Sequence, residues 1–149
     1  MEWQLKTFEC LSTQDLYQLL QVRVDVFVVE QNCPYPELDG KDILADTLHL
    51  YATNTAGKIV AYARLLAPSV SYPQASIGRV LVAADARGAG LANQLMQRAV
   101  AATLQQWPEQ GIQIGAQQYL VEFYQSHGFV INSEMYLEDG IPHLDMLFD

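Results

Sequence analysis

The chain is 149 residues long, half of them apolar, with 17 acidic residues against 8 Lys and Arg and a formal net charge of −9. A chain of that length buries roughly 70% of its unfolded surface in one core, so a single domain over residues 1–149 is expected, with no disulfide or metal needed to hold it. The acidity, with no Lys or Arg after Arg98, excludes the basic face that a nucleic-acid partner requires. Met1-Glu2-Trp3-Gln4-Leu5-Lys6 shows no basic stretch followed by an apolar one, and no apolar run approaches the ~20 residues of a membrane span. A cytoplasmic protein with no membrane partner is expected.

Residues 3–8 read as a first strand. Ser12-Thr13-Gln14-Asp15 reads as a helix cap, and Leu16, Leu19, Leu20, Arg23, Val24 and Phe27 follow at helical spacing. Residues 33–46, with Pro34, Pro36, Gly40 and four acids, form a loop too long and too polar for a plain connection, the kind that often carries function. Cys10 and Cys33 lack a C-x-x-C spacing or a flanking His pair, so both are expected as unpaired thiols. Asn54-Thr55-Ala56-Gly57 predicts a hairpin turn between strands over residues 49–53 and 58–66, with a further loop over 66–73. After a strand that starts near Ile77, the residues Leu91, Ala92, Leu95, Met96, Ala99, Val100 and Leu104 place an apolar stripe on a helix from about Gly90 to Gln106, ended by Pro108 and Gly111. Residues 112–116 alternate as a strand. Leu120, Phe123 and Tyr124 at i, i+3 and i+4 make a shorter helix, which Gly128 stops while Phe129 folds back, the pattern of a Schellman ending. Two final strands complete an α/β (α+β) fold: a mixed, twisted sheet of about six to seven strands with helices on both faces.

The run from Ile77 to Ala92 carries the chemistry. An apolar strand leads into a glycine-bearing turn and then a helix, whose first turn leaves about four backbone N–H groups unpartnered at the positive end of the helix dipole. An anion is stabilised there by geometry already present. Gly88 and Gly90 keep side chains out of a phosphate's way, and Arg87 adds a forked cation. The G-x-G-x-x-G and Gly-Lys-Ser/Thr signatures of other phosphate loops are absent. A diphosphate-containing carrier is suggested; an ordinary strand-to-helix turn, or a nucleotide site, are the competing readings of the turn alone.

Arg87-Gly88-Ala89-Gly90-Leu91-Ala92 resembles the R/Q-x-x-G-x-G/A loop of the GNAT superfamily of N-acetyltransferases, with Ala92 at the last small position. Phe123-Tyr124-Gln125-Ser126-His127-Gly128-Phe129 resembles that family's F-Y-x-x-x-G-F element, with His127 where a second aromatic is usual. Residues 26–35, 38–42, 46–50, 77–80 and 138–143 extend the likeness to the ElaA-like branch, over nearly the whole chain. The resemblance implies acetyl-CoA as cosubstrate, its pyrophosphate on Arg87, Gly88, Ala89, Gly90, Leu91 and Ala92, and its pantetheine arm on the strand holding Val80, Leu81 and Val82. A backbone N–H near Val80 or Leu81 would face the thioester carbonyl as an oxyanion-type donor. Tyr124 matches the position whose phenol protonates the departing thiolate, a transfer that pKa values of about 10 and about 8.5 permit. The implied reaction is direct attack by a primary amine in a ternary complex; a non-catalytic CoA-binding or protein-interaction module on the same fold is the alternative.

An aliphatic amine near pKa 10 arrives protonated, so a proton acceptor is needed. Glu30, Asp39, Asp46, His49, Glu138 and His143 qualify by type, and Glu30, at the end of the first helix beside the acidic loop, ranks first. Asp39, His49, Arg64, Arg79, Glu138 and His143 are the expected acceptor-binding residues. Arg64 and Arg79 lie inside apolar strands, so each is expected to have an acid partner, for which Asp46 or Glu30 would serve, or to line the pocket. Glu37, Asp39, Asp42 and Asp46 in the loop, with Glu134, Glu138, Asp139 and Asp145 near the C-terminal hairpin, predict a cleft that draws in a cation. Acetyl-CoA and an amine-bearing acceptor are the expected partners, with a homodimer left open.

Overall fold

The computed structural model describes every residue from Met1 to Asp149. Strands β1 (Glu2–Thr7), β2 (Leu48–Thr53), β3 (Ile59–Leu66) and β4 (Ser76–Val82) form one antiparallel sheet in that order. A second antiparallel sheet runs β5 (Ile112–Gln117), β8 (Ile141–Phe148), β6 (Val130–Ile131), with β7 (Tyr136–Glu138) also on β8. The helices are α1 (Thr13–Val24), α2 (Leu91–Gln106) and α3 (Val121–Gln125). Eight strands stand where six to seven are expected, because β6 and β7 are too short to show a period of two. The mixed character of the sheet rests on one parallel bridge, Ala75 to Ile112.

Local rules account for most boundaries. Ser12 Oγ accepts the Asp15 N–H at 3.0 Å and caps α1. Beyond Val24 the helix does not stop: Asp25–Glu30 widens into a π-helical turn. Asn54 Oδ1 accepts from the Ala56 and Lys58 N–H groups, which fixes the β2–β3 hairpin. At the end of α3, Gly128 takes φ +97°, the Gly128 N–H donates to Gln125 O and the Phe129 N–H to Tyr124 O. That is the Schellman pattern, and it brings the Phe129 ring to 6.0 Å from Tyr124.

Helices cover both faces of the first sheet. Leu50, Ala52, Ala61, Ala63 and Leu65 face Leu95, Met96 and Ala99 of α2, while Tyr51 and Tyr62 face Leu19 and the π-turn's Val26. Every residue of β3 is therefore buried. β4 pairs with β3 along one edge only. Its other edge meets β5 at the Ala75–Ile112 bridge, where the Gln113 N–H donates to Ala75 O, and then the two strands part. The split leaves the edge of Ile77–Val82 without a strand partner.

Candidate active site

The gap between β4 and β5 opens into a cavity of about 950 Å³, bordered by β4, α3, the loop of residues 33–46 and the β7–β8 hairpin. At the α2 end of the cavity, where Arg87 and Ala92 line it, the neighbouring Gly88 and Gly90 hold φ +90° and +76°, and no heavy atom lies within 4 Å of a Cβ built on either. The backbone sign demands glycine, and the space beside it is free for a ligand. α2 begins at Gly90 with no side-chain cap and no acid in its first turn, so the first N–H groups, including those of Leu91 and Ala92, remain unclaimed. Arg87 Nε donates to Val82 O at 3.0 Å, tying the loop to the strand end. Its two terminal nitrogens grip the Glu30 carboxylate at 2.7 and 3.0 Å.

That contact changes the standing of Glu30. Hydrogen bonding from Arg87 lowers its proton affinity below the usual carboxylate value, so it is a poor acceptor of an ammonium proton. Leu81 packs its side chain into the core beside Leu19 and Tyr62, leaving its backbone to the gap, while Val80 and Val82 line it. Between the pairs Tyr62–Leu81 and Arg64–Gly78, β4 has one residue more than β3. Arg79 sits in this bulge at φ +50°, a left-handed conformation unusual for a side-chain-bearing residue, and lines the cavity.

Tyr124 is buried but reaches the same cavity, and its hydroxyl has no hydrogen-bond partner within the protein. The oxygen is not sealed: Arg64 Nε is the one fully enclosed side-chain donor or acceptor left unpaired. Burial pushes the phenol above its ordinary pKa, so it is held in the protonated form. His127 keeps an aromatic contact with Phe123, ring centres 5.0 Å apart, and hydrogen-bonds Asn93 of α2 at 3.0 Å.

The acidic loop is not a bare acidic cleft. Arg23, Arg64 and Arg79 converge on Glu37, Asp39 and Asp42, three cations on three carboxylates. Arg23 bonds Glu37 at 2.7 Å and Asp42 at 2.6 Å; Arg64 forks onto Asp39 with two bonds of 2.8 Å and reaches Asp42 at 3.1 Å; Arg79 bonds Glu37 at 2.9 Å. Tyr35 adds a hydroxyl bond to Glu37. Asp46 and Glu30, expected as the arginines' partners, are not: Asp46 lies exposed and Glu30 is on Arg87. Desolvation alone would raise the pKa of Asp39, yet hydrogen bonds from Arg64 and the Lys41 N–H, with the charges of Arg64 and Arg79, hold it well below the carboxylate range. On the hairpin side, Asp145 is bonded by the Tyr136 hydroxyl at 2.6 Å and the Tyr72 hydroxyl at 3.3 Å.

His49 does not reach the cavity. It is fully buried, bonded to the Tyr62 hydroxyl at 2.6 Å and to Asp42 O at 3.0 Å, and burial lowers its pKa. It props the loop from behind, so the expectation that it contacts an acceptor is corrected. His143 does line the cavity. Its Nδ1 donates to Ile141 O at 2.7 Å, which turns Nε2 toward the Glu138 carboxylate at 3.4 Å, and its ring stacks on Tyr136. Asp39, Arg64, Arg79, Glu138 and His143 thus share one cavity with Tyr124. Lys41 also lines it, a residue that its position in a polar loop gave no reason to single out.

Comparison with known proteins agrees with this geometry. Residues 19–149 match the family model of the Acetyltransferase (GNAT) domain. The chain is 43% identical to Protein ElaA of Escherichia coli (strain K12) over 146 residues, 98% of this chain and 95% of that protein. The crystal structure of Escherichia coli ElaA superposes with a TM-score of 0.92 at 41% identity, covering 100% of both chains. That of an acyl-CoA N-acyltransferase from Pseudomonas aeruginosa superposes with a TM-score of 0.94 at 44% identity, again over 100% of both. The chain therefore belongs to the GNAT acetyltransferase family, on its ElaA-like branch, and is an acyltransferase.

Proposed function

We propose that the protein is an acetyl-CoA-dependent N-acetyltransferase that acts on a primary amine by direct transfer within one ternary complex. The observation that carries this reading is a continuous track: the uncapped start of α2 and its glycine cradle lead along the unpaired edge of β4 to an unpartnered phenol, Tyr124. The α2 N–H groups hold the pyrophosphate, and the β4 edge pairs with the pantetheine arm. A backbone N–H near Val80 or Leu81 donates to the thioester oxygen as negative charge develops there.

His143 Nε2 takes the proton of the incoming ammonium, with Glu138 beside it to stabilise the imidazolium that forms. The amine nitrogen then bonds to the carbonyl carbon while the carbon–sulfur bond breaks. Tyr124 gives its proton to the departing sulfur, and the second amine proton, shed as the amide forms, restores the phenol by way of solvent. His143 replaces Glu30 as base in this reading because no donor within the protein occupies its Nε2, whereas Arg87 already holds the Glu30 carboxylate.

The test is calorimetric binding of acetyl-CoA followed by CoA release over a panel of amines. Turnover with at least one amine is expected, and His143→Gln should lower kcat while leaving acetyl-CoA affinity unchanged. Acetyl-CoA binding without turnover across the panel would instead mark a non-catalytic module.

A further inference from the structure

The charge layout of the cavity bears on which amine it accepts. The three arginines and three carboxylates of the loop cluster balance in charge but not in hydrogen bonds. Arg64 Nε is enclosed without an acceptor. Arg79 directs Nε and Nη2 at Glu37 and Asp39, which leaves Nη1 without an acceptor on a side chain that is 22% exposed and lines the cavity. Lys41, on the same wall, forms no ion pair; its Nζ donates to Ser71 Oγ at 2.8 Å, and both residues line the cavity. A donor surplus on a cavity wall calls for an acceptor that the protein does not itself provide.

The facing hairpin has the opposite sign. Glu138 and Asp139 line the cavity there, and Glu138 Oε2 lies 3.4 Å from the Nε2 of His143. Arg79 sits in the left-handed bulge directly before Val80, beside the edge assigned to the thioester, and its guanidinium lies over the Tyr35 ring, 5.6 Å from its centre. The loop side therefore offers free cationic donors and the hairpin side a proton acceptor beside a carboxylate.

Building on the N-acetyltransferase reading, we infer that the acceptor is an amine that carries its own carboxylate. The carboxylate is held by Arg79 Nη1 and Lys41, and the ammonium is turned toward His143 and Glu138. A simple cation drawn in by acidic residues, the expectation from sequence, does not use the donors that the structure leaves free.

The test uses the whole protein and needs no variant for its first arm. CoA release is measured with amino acids, their carboxamides and the corresponding decarboxylated amines, at saturating acetyl-CoA. The expected result is a kcat/KM at least tenfold higher for the acids than for either matched series. In the second arm, Lys41→Gln and Arg79→Lys, checked by thermal melting, raise the KM for the acid several-fold more than that for its amide, so the preference narrows; an equal rise for both overturns the inference. Turnover of amides or plain amines at rates equal to the acids overturns this inference and leaves the acetyltransferase reading standing. No turnover with any member, with acetyl-CoA bound, overturns that reading and this inference with it.

Discussion

Replacing Tyr124 by Phe removes one oxygen and separates chemistry from packing. The ring contacts, to Phe123 at 5.2 Å and Phe129 at 6.0 Å between centres, survive. The hydroxyl makes no hydrogen bond within the protein, so its loss should move folding stability by less than about 0.5 kcal/mol. Catalysis should behave differently. A positioned acid contributes about 10²–10⁴-fold, which at about 1.36 kcal/mol per tenfold is about 2.7–5.4 kcal/mol of transition-state stabilisation. Because burial holds the phenol protonated above its ordinary range, wild-type turnover should not decline on the alkaline side as Tyr124 would if it titrated near 10. The assay is thiol release with the best amine, alongside calorimetry with acetyl-CoA and thermal melting of both proteins. Turnover of the variant within about threefold of wild type would refute the role, since the expected loss begins near a hundredfold.

Four further outcomes follow from the geometry. Glu30→Gln frees the fork of Arg87 and should tighten acetyl-CoA binding by about two- to fivefold, the modest scale of a half-exposed ion pair. Arg87→Ala should weaken it, and calorimetry should find Glu30→Gln without effect in that background. Arg23→Met leaves the buried Glu37 and Asp42 short of a cation and should cost about 3–5 kcal/mol in urea unfolding, where a loss under about 1 kcal/mol would show that Arg64 and Arg79 suffice. Stability should fall on acidification in two stages. The His49 pKa is lowered in the folded protein, so its contribution is full above the unfolded value of about 6.5 and is lost as pH falls below it; those of Asp39 and Asp42 are lowered too, so theirs is lost below about pH 4. Urea midpoints that stay flat from pH 7 to pH 3 would contradict this.

What the sequence determined by itself is local. The α2 stripe, the Ser12 cap, the Asn54–Gly57 turn and the Gly128–Phe129 ending depend on neighbours within about one helical turn or one hairpin, where spacing alone sets which groups meet. The cradle was legible for the same reason, since Gly88, Gly90 and the α2 start are contiguous. Its strict need for glycine comes from backbone sign, which the motif's letters do not distinguish from a need for space. The tertiary structure alone decided the rest. Residues 23, 37, 39, 42, 64 and 79 meet because α1, the loop, β3 and β4 are packed together, and no spacing along the chain encodes that encounter. Residue type made His49 and His143 equivalent candidates; sheet register sealed one behind the loop and turned the other into the cavity. The extra residue in β4, which turns Arg79 into the left-handed region, is a property of how β4 pairs with β3 and so appears only once the strands are aligned.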